Sequence, residues 1–155
     1  MADNFVANAG SGGSTFAAED IGGALHPRIK LSYGMADVTP ADAWTPTTML
    51  ISGASTNGTV IKASPGTLGF IYALNKNAAI RYLKLYNSTT VTVGSTTQLA
   101  ALAIPGSTTG GGFVLAIPGG IAFSTGICIG LTTGSASGDS GAVAADEIYV
   151  WLGYI

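Results

Sequence analysis

The pattern Ser-Gly-Asp-Ser-Gly at 137–141 is where this sequence comes nearest to covalent chemistry. A serine among glycines can attack a carbonyl while backbone N–H groups, here from Gly138 onward, hold the oxyanion. Such a nucleophile also needs an imidazole held by a carboxylate. The only histidine is His26, between Leu25 and Pro27. Ser140 is therefore read as part of a polar turn before the last apolar run, and no enzymatic activity is expected.

The other reactive types are as thinly spread. One histidine, one cysteine and scattered carboxylates give no metal-ligand spacing, so no metal or cofactor is expected. Glu19-Asp20 and Asp146-Glu147 are adjacent pairs, whose members point to opposite sides of an extended chain; neither is an acid–base couple. The glycines of 10–15 lack the lysine and the preceding strand of a phosphate loop. Asn57-Gly58-Thr59 and Asn87-Ser88-Thr89 match the glycosylation acceptor pattern without a secretion signal. Cys128 alone can form no internal disulfide framework. Arg81 and Lys84 stand among tyrosines and leucines. They either stack on a ring or pair with a carboxylate such as Glu147, or face outward and protect an edge.

These residues must be positioned by elements of low charge. Charged residues make up 9% of the chain, against about 25% in a typical soluble domain. Between Lys84 and Asp139 the chain carries no Asp, Glu, Lys, Arg or His. A free monomer normally keeps charge on its outside, so much of this exterior is expected to be covered by other subunits. Net charge is −2 with scattered positives, which excludes a phosphate-binding patch and with it nucleic acid. The N-terminus lacks a basic region followed by an apolar stretch, so retention in a cytoplasm or export within a particle is expected.

The neutral run 113–131 is long enough to span a bilayer, but Pro118-Gly119-Gly120 and Ser124-Thr125-Gly126 interrupt it. Alternation fits better. Ile121, Phe123, Ile127, Ile129 and Leu131 fall on a large face. Ala122, Ser124, Gly126, Cys128 and Gly130 fall on a small face that lets another layer approach. No membrane contact is expected. Strands are also read in the runs HPRIKLSY, GTVIKA, GTLGFIYALN, NAAIRYLKLYN, TVTVG, QLAALAIPG, GFVLAIPGG and DEIYVWLGYI, with a loop at 36–49. Both copies of LAIPG are expected to end a strand. The fold expected is all-β: a single, jelly-roll-like β-sandwich of about eight or nine antiparallel strands over 26–155. Residues 1–25, rich in Gly, Ala, Ser and Asn, are read as an extended N-terminal arm.

Several stretches together carry a resemblance. MADN, GSGG and FAAEDIGGALHPRIKLSYG, then GTLGFIYALNKNAAIRYLKLYN, GGGFVLAIPGGIAFSTGICIGLTTGSA and VAADEIYVWLGYI, resemble small virion proteins of tailed bacteriophages. The resemblance implies a β-sandwich, often trimeric, on the outside of an icosahedral head, cementing the major capsid protein. It would be made in the host bacterial cytoplasm and reside on the capsid surface. On that reading the capsid or subunit contacts are Phe5 and Phe16 as arm anchors, with Glu19, Asp20, Ile21, His26 and Arg28 at the arm's junction. The alternative is a head-fibre, tail-fibre or spike-associated module that stacks host glycan on Trp44, Tyr82, Tyr86 and Trp151; the competing reading of those four is core.

Overall fold

An extended backbone leaves its N–H and C=O groups unpaired, so alternating apolar segments gain most by pairing side by side. The computed structural model describes residues 44–155, and the backbone of three N-terminal strands. Those strands are β1 (Asn4–Val6), β2 (Thr15–Ile21) and β3 (Ala24–Pro27), an antiparallel sheet in the order β1-β2-β3. Part of the segment read as an extended arm lies in these ladders. The chain divides into two compact units, Met1–Val38 and Thr39–Ile155. Of HPRIKLSY, His26 and Pro27 lie in β3, and residues 28–33 lie outside the described residues.

The second unit contains β4 (Thr45–Pro46), β5 (Leu50–Ile51), β6 (Thr59–Lys62), β7 (Gly66–Asn75), β8 (Arg81–Asn87), β9 (Ala100–Ile104), β10 (Gly111–Phe123), β11 (Ile127–Thr132) and β12 (Ile148–Tyr154). One sheet runs β10-β7-β12-β4, with β5 also on β12; the other runs β6-β11-β8-β9. All their pairings are antiparallel. Leu68, Ile71, Ala73, Ile148, Val150 and Leu152 of the first sheet share one buried cluster with Leu83, Leu85, Ile104, Ile127, Ile129 and Leu131 of the second. The result is an all-β sandwich of two antiparallel sheets, as the alternation predicts. Among the described residues no helix is long and apolar enough to cross a membrane.

Three local expectations fail for physical reasons. TVTVG is a turn, not a strand. Thr92 O accepts from the N–H groups of Ser95 and Thr96, and Gly94 has φ +89°. Hydroxyl and glycine turn chemistry outweighs the β-propensity of two valines. The second LAIPG does not end its strand. In β10, Ala116 pairs with Phe70 and Ile121 with Leu68, so residues 117–120 bulge opposite Gly69. Pro118 has no N–H to give the ladder, and Gly119 and Gly120 take positive φ of 80° and 70°. Within the loop expected at 36–49, Thr45–Pro46 pairs with Tyr154 and Gly153.

Ser52 fastens the short edge strand β5 to β12. Its hydroxyl accepts from the buried N–H groups of Glu147 and Ile148, at 3.1 and 2.9 Å, and donates to Ala144 O at 2.8 Å. Ser52→Ala strands both amides in a site that is only 3% exposed. The substitution is expected to destabilise the unit by about 1–3 kcal/mol, read as a lower urea midpoint at unchanged slope.

Candidate functional site

Side chains alternate across β7 and β12, and only one face of each strand meets the core. The other face of the five-stranded sheet is built by register. Val114, Tyr72 and Trp151 form one cross-strand row, Ala116, Phe70 and Gly153 the next, and Gly112, Leu74 and Tyr149 a third. Val114 is 65% exposed and Trp151 39%. The rings of Phe70 and Trp151 meet edge to face, centroids 5.3 Å apart. Trp44 lies on Gly69, where any Cβ would collide with its indole, and the bulge glycine Gly120 is a further neighbour. Trp44 is itself 41% exposed.

The Trp151 indole N–H donates to Thr47 O at 2.9 Å, which satisfies the ring while leaving its faces open. Thr47 is in turn fixed by Leu152, through backbone N–H to carbonyl at 2.8 Å and through its hydroxyl at 3.1 Å. A shallow hollow lies here, lined by Trp44, Pro46, Phe70, Trp151, Leu152 and Gly153. None of the three rows contains a charged residue. At their end the Lys76 ammonium lies 5.0 Å from the Tyr149 ring centroid and donates to its hydroxyl at 3.2 Å.

Of the four aromatics expected to form a sugar platform, the structure brings Trp44 and Trp151 together. Tyr86 is buried on the four-stranded sheet and Tyr82, on the same strand, is half-buried. Phe70, Tyr72 and Val114 were not singled out by sequence. The available signal was that GTLGFIYALN and DEIYVWLGYI carry large apolar residues on both phases of the alternation, more than a single core face needs.

The turn 137–141 has a structural task. It straps the outer face of β8, where Lys84 is fully buried beneath the loop and not open to solvent as the edge-protection reading had it. The Lys84 ammonium donates to Ala136 O at 2.6 Å and to Asp139 O at 2.9 Å. Burial pushes the Lys84 pKa down, and the Asp139 carboxylate partly opposes the shift. Asp139 Oδ1 meanwhile accepts from the N–H groups of Gly134 and Gly141. Ser140 packs at Gly94. Arg81 pairs with Glu147, whose other carboxylate oxygen accepts from Ala144 N–H. The small face of β11 is approached by the chain's own loop: a Cβ on Gly130 would meet Val93 Cγ2 at 2.6 Å.

Among the described residues, Cys128, Asn57 and Asn87 also make structural hydrogen bonds. The Cys128 thiol donates to Ser88 O at 2.9 Å, and burial pushes its pKa up, away from thiolate chemistry. The Asn57 amide closes a turn with Gly53 and Ser55, and the Asn87 amide holds Ser124 and Thr125. Among the described residues no three His, Cys, Asp or Glu side chains gather as a metal site.

In the N-terminal unit the register sets Phe5 opposite Phe16, Glu19 opposite His26, Asp20 opposite Leu25 and Ile21 opposite Ala24. Arg28 lies outside the described residues. Comparison with protein-family models, with curated proteins and with solved structures found no match.

The buried ammonium makes stability depend on pH. With its folded pKa below the ordinary 10.5, Lys84 holds fewer protons folded than unfolded, so stability rises as pH climbs toward 10.5. The Tyr86 phenol, pushed up by burial, opposes this only above its ordinary 10.0. Urea unfolding between about pH 7 and about pH 10 should show wild type gaining stability relative to Lys84→Met as pH rises. A constant difference would show that Lys84 titrates alike in both states.

Proposed function

We propose that this chain is a non-enzymatic structural protein of a virion. On this reading it binds the outside of a phage capsid as an oligomer, a trimer by the family resemblance, and cements the major capsid protein. The observation that carries the reading is the outward apolar face around Trp44, Phe70, Tyr72, Val114 and Trp151. Monomeric proteins rarely leave a large contiguous apolar patch in water, and such patches mark contact surfaces. Exposed tryptophans backed by a rigid sheet are the residues that dominate protein–protein affinity. A shell presents hundreds of equivalent sites, so a modest interface repeated in a connected oligomer becomes a strong clamp.

A second reading, a fibre- or spike-associated module that binds host glycan, draws support from the paired exposure of Trp44 and Trp151. The hollow beside them is poor in polar groups, whereas a sugar site needs several placed hydrogen-bond partners. The capsid reading is therefore preferred.

Purified protein is expected to bind saturably to heads lacking it. Trp151→Ala or Trp44→Ala should weaken that binding by about thirtyfold, the effect of losing about 2 kcal/mol at a central aromatic anchor. No affinity of the wild-type chain for such heads would end this reading. Retention on envelope polysaccharide that either substitution abolishes would establish the glycan reading in its place.

A further inference from the structure

We propose that Asn57-Gly58 is a self-modification site. Asn57 loses ammonia by intramolecular attack of the Gly58 nitrogen, and the folded turn at 53–57 suppresses this reaction until the turn opens. The inference goes beyond the virion reading and does not depend on it.

Asn57-Gly58 is the only Asn-Gly pair in the chain. The reaction requires the Asn57 side-chain carbon Cγ to reach the Gly58 backbone nitrogen, and an intramolecular step of this kind is governed by how readily the two atoms meet in attack geometry. Glycine has no Cβ to hinder the approach. Water is the sole co-reactant. The Gly58 nitrogen gives up its proton as it bonds to Cγ. The Cγ–Nδ2 bond breaks, and ammonia leaves with that proton. A five-membered succinimide remains, which water opens at either carbonyl to give aspartate or isoaspartate at 57.

The fold works against the first step. Asn57 takes φ +49°, a left-handed conformation that asparagine tolerates. Its carboxamide turns back toward the residues before it. Oδ1 accepts from Gly53 N–H at 2.8 Å, and Nδ2 donates to Gly53 O at 3.1 Å and to Ser55 O at 2.8 Å. Swinging Cγ onto the Gly58 nitrogen breaks these bonds. The turn is in turn tied to the sandwich. Leu131 N–H donates to Thr56 O at 2.7 Å and Val143 N–H to Ser55 O at 3.2 Å, and both donors belong to buried core residues.

The product cannot rebuild the turn. An aspartate at 57 has no N–H to give Gly53 O and Ser55 O, and its carboxylate faces those two carbonyl oxygens. Isoaspartate also adds a carbon to the main chain. Conversion therefore records opening: chains that open at this turn are modified at a rate set by the open fraction, and the change is not reversed on closing.

The test follows aspartate and isoaspartate at 57 by peptide mapping and mass spectrometry. Full-length protein is held at mildly alkaline pH, either native or in urea. In urea, Asn57 is expected to convert ahead of Asn87, whose neighbour Ser88 carries a side chain. In the native protein the conversion of Asn57 should be at least about tenfold slower than in urea. Gly58→Ala should suppress the reaction in urea. Its methyl meets Val91 and Val93 at an ordinary 3.4 Å, so the native urea midpoint should be kept. Asn57→Asp, which copies one product, should lower the urea midpoint at unchanged slope.

Equal rates in native protein and in urea would overturn the protective role of the turn. Conversion in urea that Gly58→Ala leaves unchanged would remove the attack by the Gly58 nitrogen. An Asn57→Asp chain with the wild-type midpoint would show that the product closes the turn as well as asparagine does, against the proposal. Binding to heads enters none of these readings.

Discussion

The interlocked inner rows of the two sheets are the contact on which the rest of the second unit stands. Leu68, Ile71, Ala73, Val150 and Leu152 meet Leu83, Leu85, Ile127, Ile129 and Leu131, all at or below 1% exposure. At roughly 25 cal/mol per Å² of apolar surface removed from water, such rows are the main favourable term for a sandwich. The same contact limits what can be covered. A two-layer sandwich has one core, but β7 and β12 bring apolar side chains to both of their faces. The surplus, Phe70, Tyr72 and Trp151, stands outside on a rigid platform.

Polar groups inside this frame hold its loops. Ser52 ties β5 to β12, Glu147 joins Arg81 to the turn at Ala144, and Lys84 pulls the carbonyls of Ala136 and Asp139 over β8. Each joins segments far apart in sequence, so each connects loop position to sheet position. Lys84 is the costliest, since an ammonium deprived of water must be repaid by directed carbonyl oxygens. The same arrangement accounts for the Ser-Gly-Asp-Ser-Gly pattern. Its small residues let the loop lie close to the sheet, and its aspartate caps the N–H groups of Gly134 and Gly141.

The scarcity of charge has a consistent structural expression. The outer rows of the five-stranded sheet and the open β9/β10 flank are both neutral, and each presents large apolar side chains to solvent. In a freely diffusing monomer such surfaces favour unwanted association. In an assembly they supply contacts, and neutrality lets equal subunits approach without mutual repulsion.

Alternation in GTLGFIYALN, RYLKLYN and DEIYVWLGYI was enough to determine strands, an all-β fold, and the core assignment of Ile127, Ile129 and Leu131, because a period of two depends only on the strand's own geometry. The Arg81–Glu147 pairing was legible as one option, since the two residues differ in charge and sit in apolar strands. Turn chemistry was partly misread, at TVTVG and at the second LAIPG, where local glycine and hydroxyl geometry competes with the same β-formers. What the tertiary structure alone decided was which apolar face found a partner sheet. Trp44 joined Trp151, Tyr86 went inside, and Lys84 was roofed by a loop more than fifty residues away. Those outcomes follow from long-range sheet order and loop placement, and a strand that is apolar on both sides carries no mark saying which side will be covered.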